Sequence, residues 1–224
     1  MFCASHEVCL LARQASSKDA AQHKGITVIA IIDYKAGNLA SVKKALDHLR
    51  IEAVITDDSK VVRRANKLIL PGVGHFAATT QLSRNGMRNA VQESLAAGKP
   101  FLGICVGMQW MLAGSSEAPD LAGLGAIAAS CKKFQSTDLK VPHVGWNQIA
   151  KTRSSRLLNG IESGSFVYYS HSYCAPVTDE TVATTDYCGP YSAAIENKNL
   201  FGVQFHPEKS GAAGLRVLRN FCDL

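Results

Sequence analysis

A single α/β domain, built on a central mostly parallel sheet flanked by helices with additional antiparallel strands, is the fold class this sequence predicts. Three observations predict it. Short β-rich apolar runs alternate with amphipathic helical stretches through the first half, the pattern of βαβ units and parallel pairing. Strand-like segments with few helical stretches fill the second half, which adds an antiparallel edge. At 224 residues, 46% apolar and only 19% charged, the chain buries a sizeable core as one domain, or at most two small ones.

The elements follow in order. Residues 26–33, ITVIAIID, form a strand that ends at an Asp, and 34–37 form a turn. Asn38 is a good N-cap residue. Behind it Leu39, Val42, Ala45, Leu46 and Leu49 recur at helical spacing, with Lys43, Lys44 and Asp47 on the other side. Strands are expected at 53–56 and at 67–70, the latter closed by Pro71-Gly72. A helix over 87–97 is stopped by Gly98 and Pro100. A buried strand at 101–104 leads into a helix over 106–113, whose end Gly114 weakens by about 1 kcal/mol relative to Ala. Further strands are expected near 124–134, 146–151, 165–171, 181–186, 191–196 and 200–205, and a last helix near 211–221 returns to the sheet.

Composition excludes several classes of function. The net charge of +6 permits an acidic or phosphorylated partner, but no dense Lys/Arg stripe with interleaved aromatics occurs, which argues against nucleic acid. Seven cysteines, odd in number and scattered, fit a reducing cytoplasm better than a disulfide framework. No apolar stretch approaches the roughly 20 residues that cross a bilayer. The segment before Ile26 lacks the layout of a secretory signal. It carries Arg13, Lys18 and Lys24 but also Glu7 and Asp19, so a transit peptide is a weak reading too. Its Cys3, His6, Cys9 and His23 match no zinc spacing, and residues 1–25 are expected to be a disordered extension.

The most informative stretch is Gly103-Ile104-Cys105-Val106-Gly107. A strand runs straight into a helix, with glycines two before and two after a cysteine. That is a nucleophile elbow with sulfur in place of hydroxyl. The amides opening the next helix then favour the thiolate, and the Val106 amide can donate to an oxyanion formed on a carbonyl that Cys105 attacks. The bland alternative is a buried structural cysteine. A thiol nucleophile needs a base. His206 follows a strand and precedes Pro207, and Glu208 falls on its side of an extended segment, so the carboxylate can orient the imidazole. Spacing alone slightly favours His-Pro-Glu as a plain surface turn with no chemistry. His171, His143, His75 and His48 compete as bases, with His171 the best of them and His48 on the solvated side of a helix. No group of residues shows metal-ligand spacing.

Taken together, Gly-Ile-Cys-Val-Gly-Met-Gln and the later His-Pro-Glu resemble the class I (triad) glutamine amidotransferases. The stretches IIDYKAGNLASV (31–42), LPGVG (70–74), PHVGWN (142–147), SHSY (170–173) and VQFHPEKS (203–210) narrow the resemblance to the glutaminase subunit of imidazole glycerol phosphate synthase, from Ile26 to the C-terminus. The resemblance implies a triad of Cys105, His206 and Glu208 that hydrolyses L-glutamine to glutamate without cofactor or metal. It implies an oxyanion hole from Val73, Gly74 and Val106. It implies substrate contacts from Gln109, one helical turn past the nucleophile, and from Glu117, Ser172 and Tyr173. It also implies a partner, a (β/α)₈-barrel cyclase subunit. Ammonia passes through that barrel, because free ammonia is mostly protonated near neutral pH, and the products are imidazole glycerol phosphate and aminoimidazole carboxamide ribotide. The partner-facing residues are Asn38, Pro142, Trp146 and Lys209. For Trp146 the residues themselves leave a buried core position equally open. Other readings are a glutaminase serving a different synthase, a silent binding subunit with the same fold, and an unrelated elbow-cysteine hydrolase. LPGVG and PHVGWN argue against the first, the intact triad against the second, and Gln109, Glu117 and the late His-Pro-Glu against the third.

Overall fold

In the computed structural model, which describes residues 28–84 and 86–224, consecutive apolar residues feed two cores at once. Along strand β1 (Ile29–Ile32), Ile29 and Ile31 enter one core while Ala30 and Ile32 enter the other. Strand β3 (Lys67–Gly72) and strand β4 (Phe101–Cys105) divide in the same way, Ile69, Leu102 and Ile104 against Leu68, Leu70 and Phe101. Burial on both faces is what a covered parallel sheet demands, and each buried Ile, Leu or Phe among them contributes about 1.5–3 kcal/mol. Helix α1 (Leu39–His48), through Val42 and Leu46, joins the first core. Helix α2 (Ser59–Arg64), helix α3 (Met87–Ala96) and much of helix α4 (Val106–Met111) join the second.

Strand β2 (Ala53–Thr56) lies outside β1, and the chain then crosses to β3 on the other side of it. The remaining strands are β5 (Leu112–Ser115), β6 (Ile127–Lys133), β7 (His143–Gln148), β8 (Ala150–Lys151), β9 (Phe166–His171), β10 (Tyr173–Cys174), β11 (Thr181–Asp186), β12 (Pro190–Asn197) and β13 (Leu200–Val203). The main sheet runs β2-β1-β3-β4-β13-β12-β11-β8. Its pairs from β2 through β13 are parallel, and β12, β11 and β8 extend it antiparallel. A three-stranded sheet β10-β6-β5 and a two-stranded ladder β7-β9 stand beside it. Register sets the site: Gly72 pairs with Cys105 and Val203 with Ile104, so the carboxyl ends of β3, β4 and β13 end level. In open α/β sheets, ligands bind at such edges.

The structure departs from the sequence expectations in several places. Pro71 and Gly72 continue β3 rather than close it. Helix α4 stops at Met111, not at Ala113. The carbonyls of Trp110, Met111 and Leu112 are taken by the amides of Leu124, Ala126 and Gly125 from the returning chain, and Leu112–Ser115 becomes β5. Gly114 therefore weakens no helix; it pairs with Ser130 across a ladder. The strand expected at 146–151 begins earlier and splits into β7 and β8. Asn38 occupies the N-cap of α1 without a side-chain capping bond. The expected extension at 1–25, with its Cys3, His6, Cys9 and His23, lies outside the described residues.

Helix α5 (Gly211–Cys222) closes the first core with Val217, Leu218 and Phe221. Its last turn is held by Lys67, a buried cation whose Nζ donates to the carbonyls of Phe221 and Cys222. Replacing Lys67 by Met keeps the packing of the stem and removes the charge from the helix C-terminus. Urea denaturation is expected to show a loss of about 1–2 kcal/mol.

Candidate active site

No residue separates β4 from α4, so Cys105 itself makes the turn, at φ 53° and ψ −109°. A residue bearing Cβ is held there at a cost of about 1–3 kcal/mol. The flanking glycines let the turn close: a Cβ on Gly103 would sit 2.5 Å from Gly107 O, and one on Gly107 would strike Leu70 O. The opening amides of α4, Val106 among them, lack intrahelical partners and directly follow Cys105, the N-cap of that helix.

The chain passes from β13 through Gln204 and Phe205 to His206, which lies beside the thiol. Glu208 Oε1 is 3.0 Å from His206 Nδ1, and both side chains are only 1% exposed. The backbone fixes the ring, since His206 N donates to Tyr168 O at 2.9 Å and Ser210 Oγ to His206 O at 2.6 Å. His206 Nε2 is buried with no hydrogen-bond partner. Burial opposes protonation of this ring, but Cys105 and Glu208 outweigh it and push its pKa up to about 9. Cation and thiol thus act on each other across the gap at Nε2, and the ring has a proton to give near neutral pH.

A cavity of about 250 Å³ opens over Cys105. Gly74, Val106, Gln109, Glu117, Pro142, Ser172 and Tyr173 line it together with Ser170 and His171. This size suits an amino acid better than a drug-sized ligand. Glu117 Oε2 accepts from Phe76 N at 2.7 Å and so ties down the far end of the segment carrying Gly74. Gln109 Nε2 donates to Tyr173 O at 2.8 Å and to Gln204 Oε1 at 3.2 Å. Val73 is not among the lining residues, and its side chain is exposed.

Sequence reasoning missed Gln204. It is fully buried, and its Nε2 donates to Cys105 Sγ at 3.5 Å. Glu208 does not reach His206 by the extended alternation expected from the sequence: Pro207–Lys209 is a 3₁₀ turn that opens at His206, and Gln204 lies just past the end of β13.

The competing histidines do other work. His171 lines the cavity, but its Nδ1 is 2.9 Å from Tyr173 O and burial pushes its pKa down to about 3. His143, its pair across the β7-β9 ladder, stacks on Tyr187 at 3.9 Å and is pushed down to about 4, again by burial. His75 Nδ1 accepts from Ala77 N at 3.0 Å at the start of a 3₁₀ run over Phe76–Ser83. His48 ends α1 in solvent. Among the described residues, no group of three or more His, Cys, Asp or Glu could hold a metal ion.

Neutral burial of His143 and His171 has a measurable consequence. Unfolded, both take protons below pH 6.5; folded, they resist until about 4 and 3. Each therefore removes about 1.4 kcal/mol of stability per pH unit as the pH falls below 6.5. His143→Phe, which keeps the stacked ring, is expected to flatten the acid limb of a Tm-against-pH curve by one proton's slope.

Comparison with known proteins gives the family. A family model, "Glutamine amidotransferase class-I", matches residues 30–224. Imidazole glycerol phosphate synthase subunit HisH of Chlorobium luteolum is 45% identical over 200 residues, covering 88% of this chain and 100% of that protein. Subunit HisH of Methanothermobacter thermautotrophicus is 44% identical over 198 residues, covering 88% and 98%. The chain belongs to the class-I glutamine amidotransferases, in the HisH family. Among solved structures, a glutamine amidotransferase superposes with a TM-score of 0.69 at 16% identity, covering 87% of this chain and 97% of the other. PurLQS from Thermotoga maritima gives 0.68 at 17%, covering 88% and 97%. These two speak for the fold.

For a member of this family, the outer face of the β7-β9 ladder is the conspicuous surface. Trp146 is 55% exposed, which overturns the core alternative, and Val144 and Phe166 stand exposed beside it. The Tyr168 ring meets Trp146 edge-on at 6.0 Å, and Lys209 Nζ lies 5.6 Å from the centre of that ring. Pro142 sits at the mouth of the cavity. Asn38 is half-buried at the start of α1, a helix that packs on the turn Pro207–Lys209. Among the described residues, no helix is long and apolar enough to cross a membrane.

Proposed function

We propose that this chain is the glutaminase subunit of an imidazole glycerol phosphate synthase, with the activity carried by residues 26–224. The Cys105 thiolate attacks the side-chain amide carbon of glutamine. The oxygen takes up the negative charge and is met by the amides of Val106 and of the Val73-Gly74 segment. His206, oriented by Glu208, gives its proton to the departing nitrogen, and ammonia leaves a glutamyl thioester on Cys105. Water then attacks the thioester and His206 takes its proton. Breaking the C–S bond frees glutamate and restores the thiolate. Gln109, Glu117, Ser172 and Tyr173 hold the amino-acid end of the substrate. The observation that supports this reading best is Cys105 lining a cavity of amino-acid size, with the buried His206–Glu208 pair acting on it.

Ammonia loses its nucleophilicity on protonation, so a sealed route to an acceptor favours synthesis. The reading therefore includes a cyclase partner of (β/α)₈-barrel form that receives ammonia and makes imidazole glycerol phosphate and aminoimidazole carboxamide ribotide in the cytoplasm. It docks over Asn38, Pro142, Trp146 and Lys209, where the exposed aromatic suits an interface core and the lysine a polar rim. The test is glutamate release by the full chain with and without a cyclase subunit and its phosphorylated acceptor. Low release alone and a sharp rise in the complex are expected. Equal turnover in both sinks the coupling, and no glutamate in either sinks the glutaminase.

A further inference from the structure

Among the described residues, five buried side-chain polar atoms lack a hydrogen-bond partner. Two belong to His206 and Glu208, and a third, Tyr34 Oη, stands at the same edge of the sheet. Tyr34 follows β1 and is 3% exposed. Burial, and after it the charge of Cys105, pushes its pKa up, so the hydroxyl stays a protonated donor. It is pressed against the end of β3: a Cβ on Gly72 would lie 2.7 Å from Tyr34 Oη, 2.6 Å from Val106 Cβ and 2.7 Å from Gly107 N. A donor left unmade in such a place costs about 1–3 kcal/mol.

The segment beside it has room to turn. It is anchored below by the pairing of Gly72 with Cys105 and above by the bond from Phe76 N to Glu117. Between these anchors Val73 is exposed, Gly74 has φ +100°, and a Cβ built on Gly74 meets nothing within 4 Å. Glycines on both sides of Val73 let a peptide plane rotate at little cost.

We propose that Tyr34 is a positioning residue for the oxyanion segment: its hydroxyl donates to the Gly72 carbonyl when the Gly72–Val73 peptide turns the Val73 N–H toward the thiol. A trans peptide carries N–H and C=O on opposite sides. Turning the Val73 N–H into the cavity therefore turns Gly72 O away from it, and Tyr34 Oη, packed against Gly72, is the unpartnered donor beside that peptide. The hydroxyl that is unsatisfied in this structure becomes satisfied when the peptide is turned, and this difference biases the segment toward the turned form. The inference rests on the glutaminase reading above and adds a residue that the sequence motifs did not mark.

Tyr34→Phe in the full chain, assayed for glutamate release with the cyclase subunit, tests it. Glutamine kcat is expected to fall about three- to tenfold, the worth of one hydrogen bond, at unchanged KM. The Tm of the isolated chain is expected to hold or rise, because a buried unpaired donor has gone. A kcat equal to wild type, or a fall in kcat matched by a fall in Tm, overturns the proposal and leaves the glutaminase standing. A wild-type chain that releases no glutamate overturns the glutaminase reading and this inference with it.

Discussion

Cys105→Ala is expected to abolish glutamine hydrolysis, by about 10⁴-fold or more, while leaving the fold and the partner surface intact. The reasoning starts from the backbone. Position 105 already carries a Cβ at φ 53°, so alanine introduces no atom that the turn has not accommodated. What disappears is Sγ, with the weak bond it accepts from Gln204 Nε2. Removing one small buried atom group costs on the order of 1 kcal/mol, too little to unfold a domain with two cores. The exposed face around Trp146 is formed by β7 and β9 and does not depend on the thiol. Glutamate release and partner binding, measured side by side, separate these effects. Release at the wild-type level removes Cys105 from the chemistry, and loss of partner binding shows that the elbow supports the docking face.

Legibility differed between the two halves of the problem, for physical reasons. The parallel half of the sheet was readable because each strand is a short apolar run punctuated by turn residues, as in β1 and β4. The elbow was readable because Gly103 and Gly107 are fixed by local geometry: there a side chain would meet the backbone of its own turn or of β3. Helix α2 was not readable, because it buries only Val62 and so shows no period; its start depends on Asp58 Oδ1 accepting from Lys60 N. The end of α4 is decided by residues 124–126, which arrive later in the chain and take its carbonyls. Spacing cannot report such a partner. The site divides in the same way. That His206 and Glu208 pair was legible from their closeness in sequence, but the extended segment expected to join them is a 3₁₀ turn over Pro207–Lys209. Glu117 bonds to Phe76 N across a gap of 41 residues, and only the folded chain brings them together. Trp146 was ambiguous because its neighbours alternate between faces while the sequence does not say which face is covered.

Glu208→Gln is the more searching test of how the imidazole works. Glutamine keeps the length and shape of the side chain and can still bond to His206 Nδ1, so the ring stays where it is. The negative charge is lost. In the wild type, burial disfavours the imidazolium, and Cys105 and Glu208 reverse that to bring its pKa to about 9. A raised pKa of this kind contributes stability that is fully present below the unfolded value of 6.5 and is lost as the pH rises through about 9. Without the carboxylate, the imidazolium gives up its proton at lower pH. The alkaline limb of the kcat profile is then expected to move down, and the ring no longer protonates the leaving ammonia efficiently. A fall in kcat of about 10²–10⁴-fold follows, by analogy with loss of the third triad member elsewhere. Glutamine KM is expected to change little, because Glu208 does not line the cavity. An unmoved alkaline limb with wild-type kcat means that His206 works without its carboxylate, and Glu208 is then a packing residue of the turn. A rise in KM at constant kcat places it in substrate binding instead.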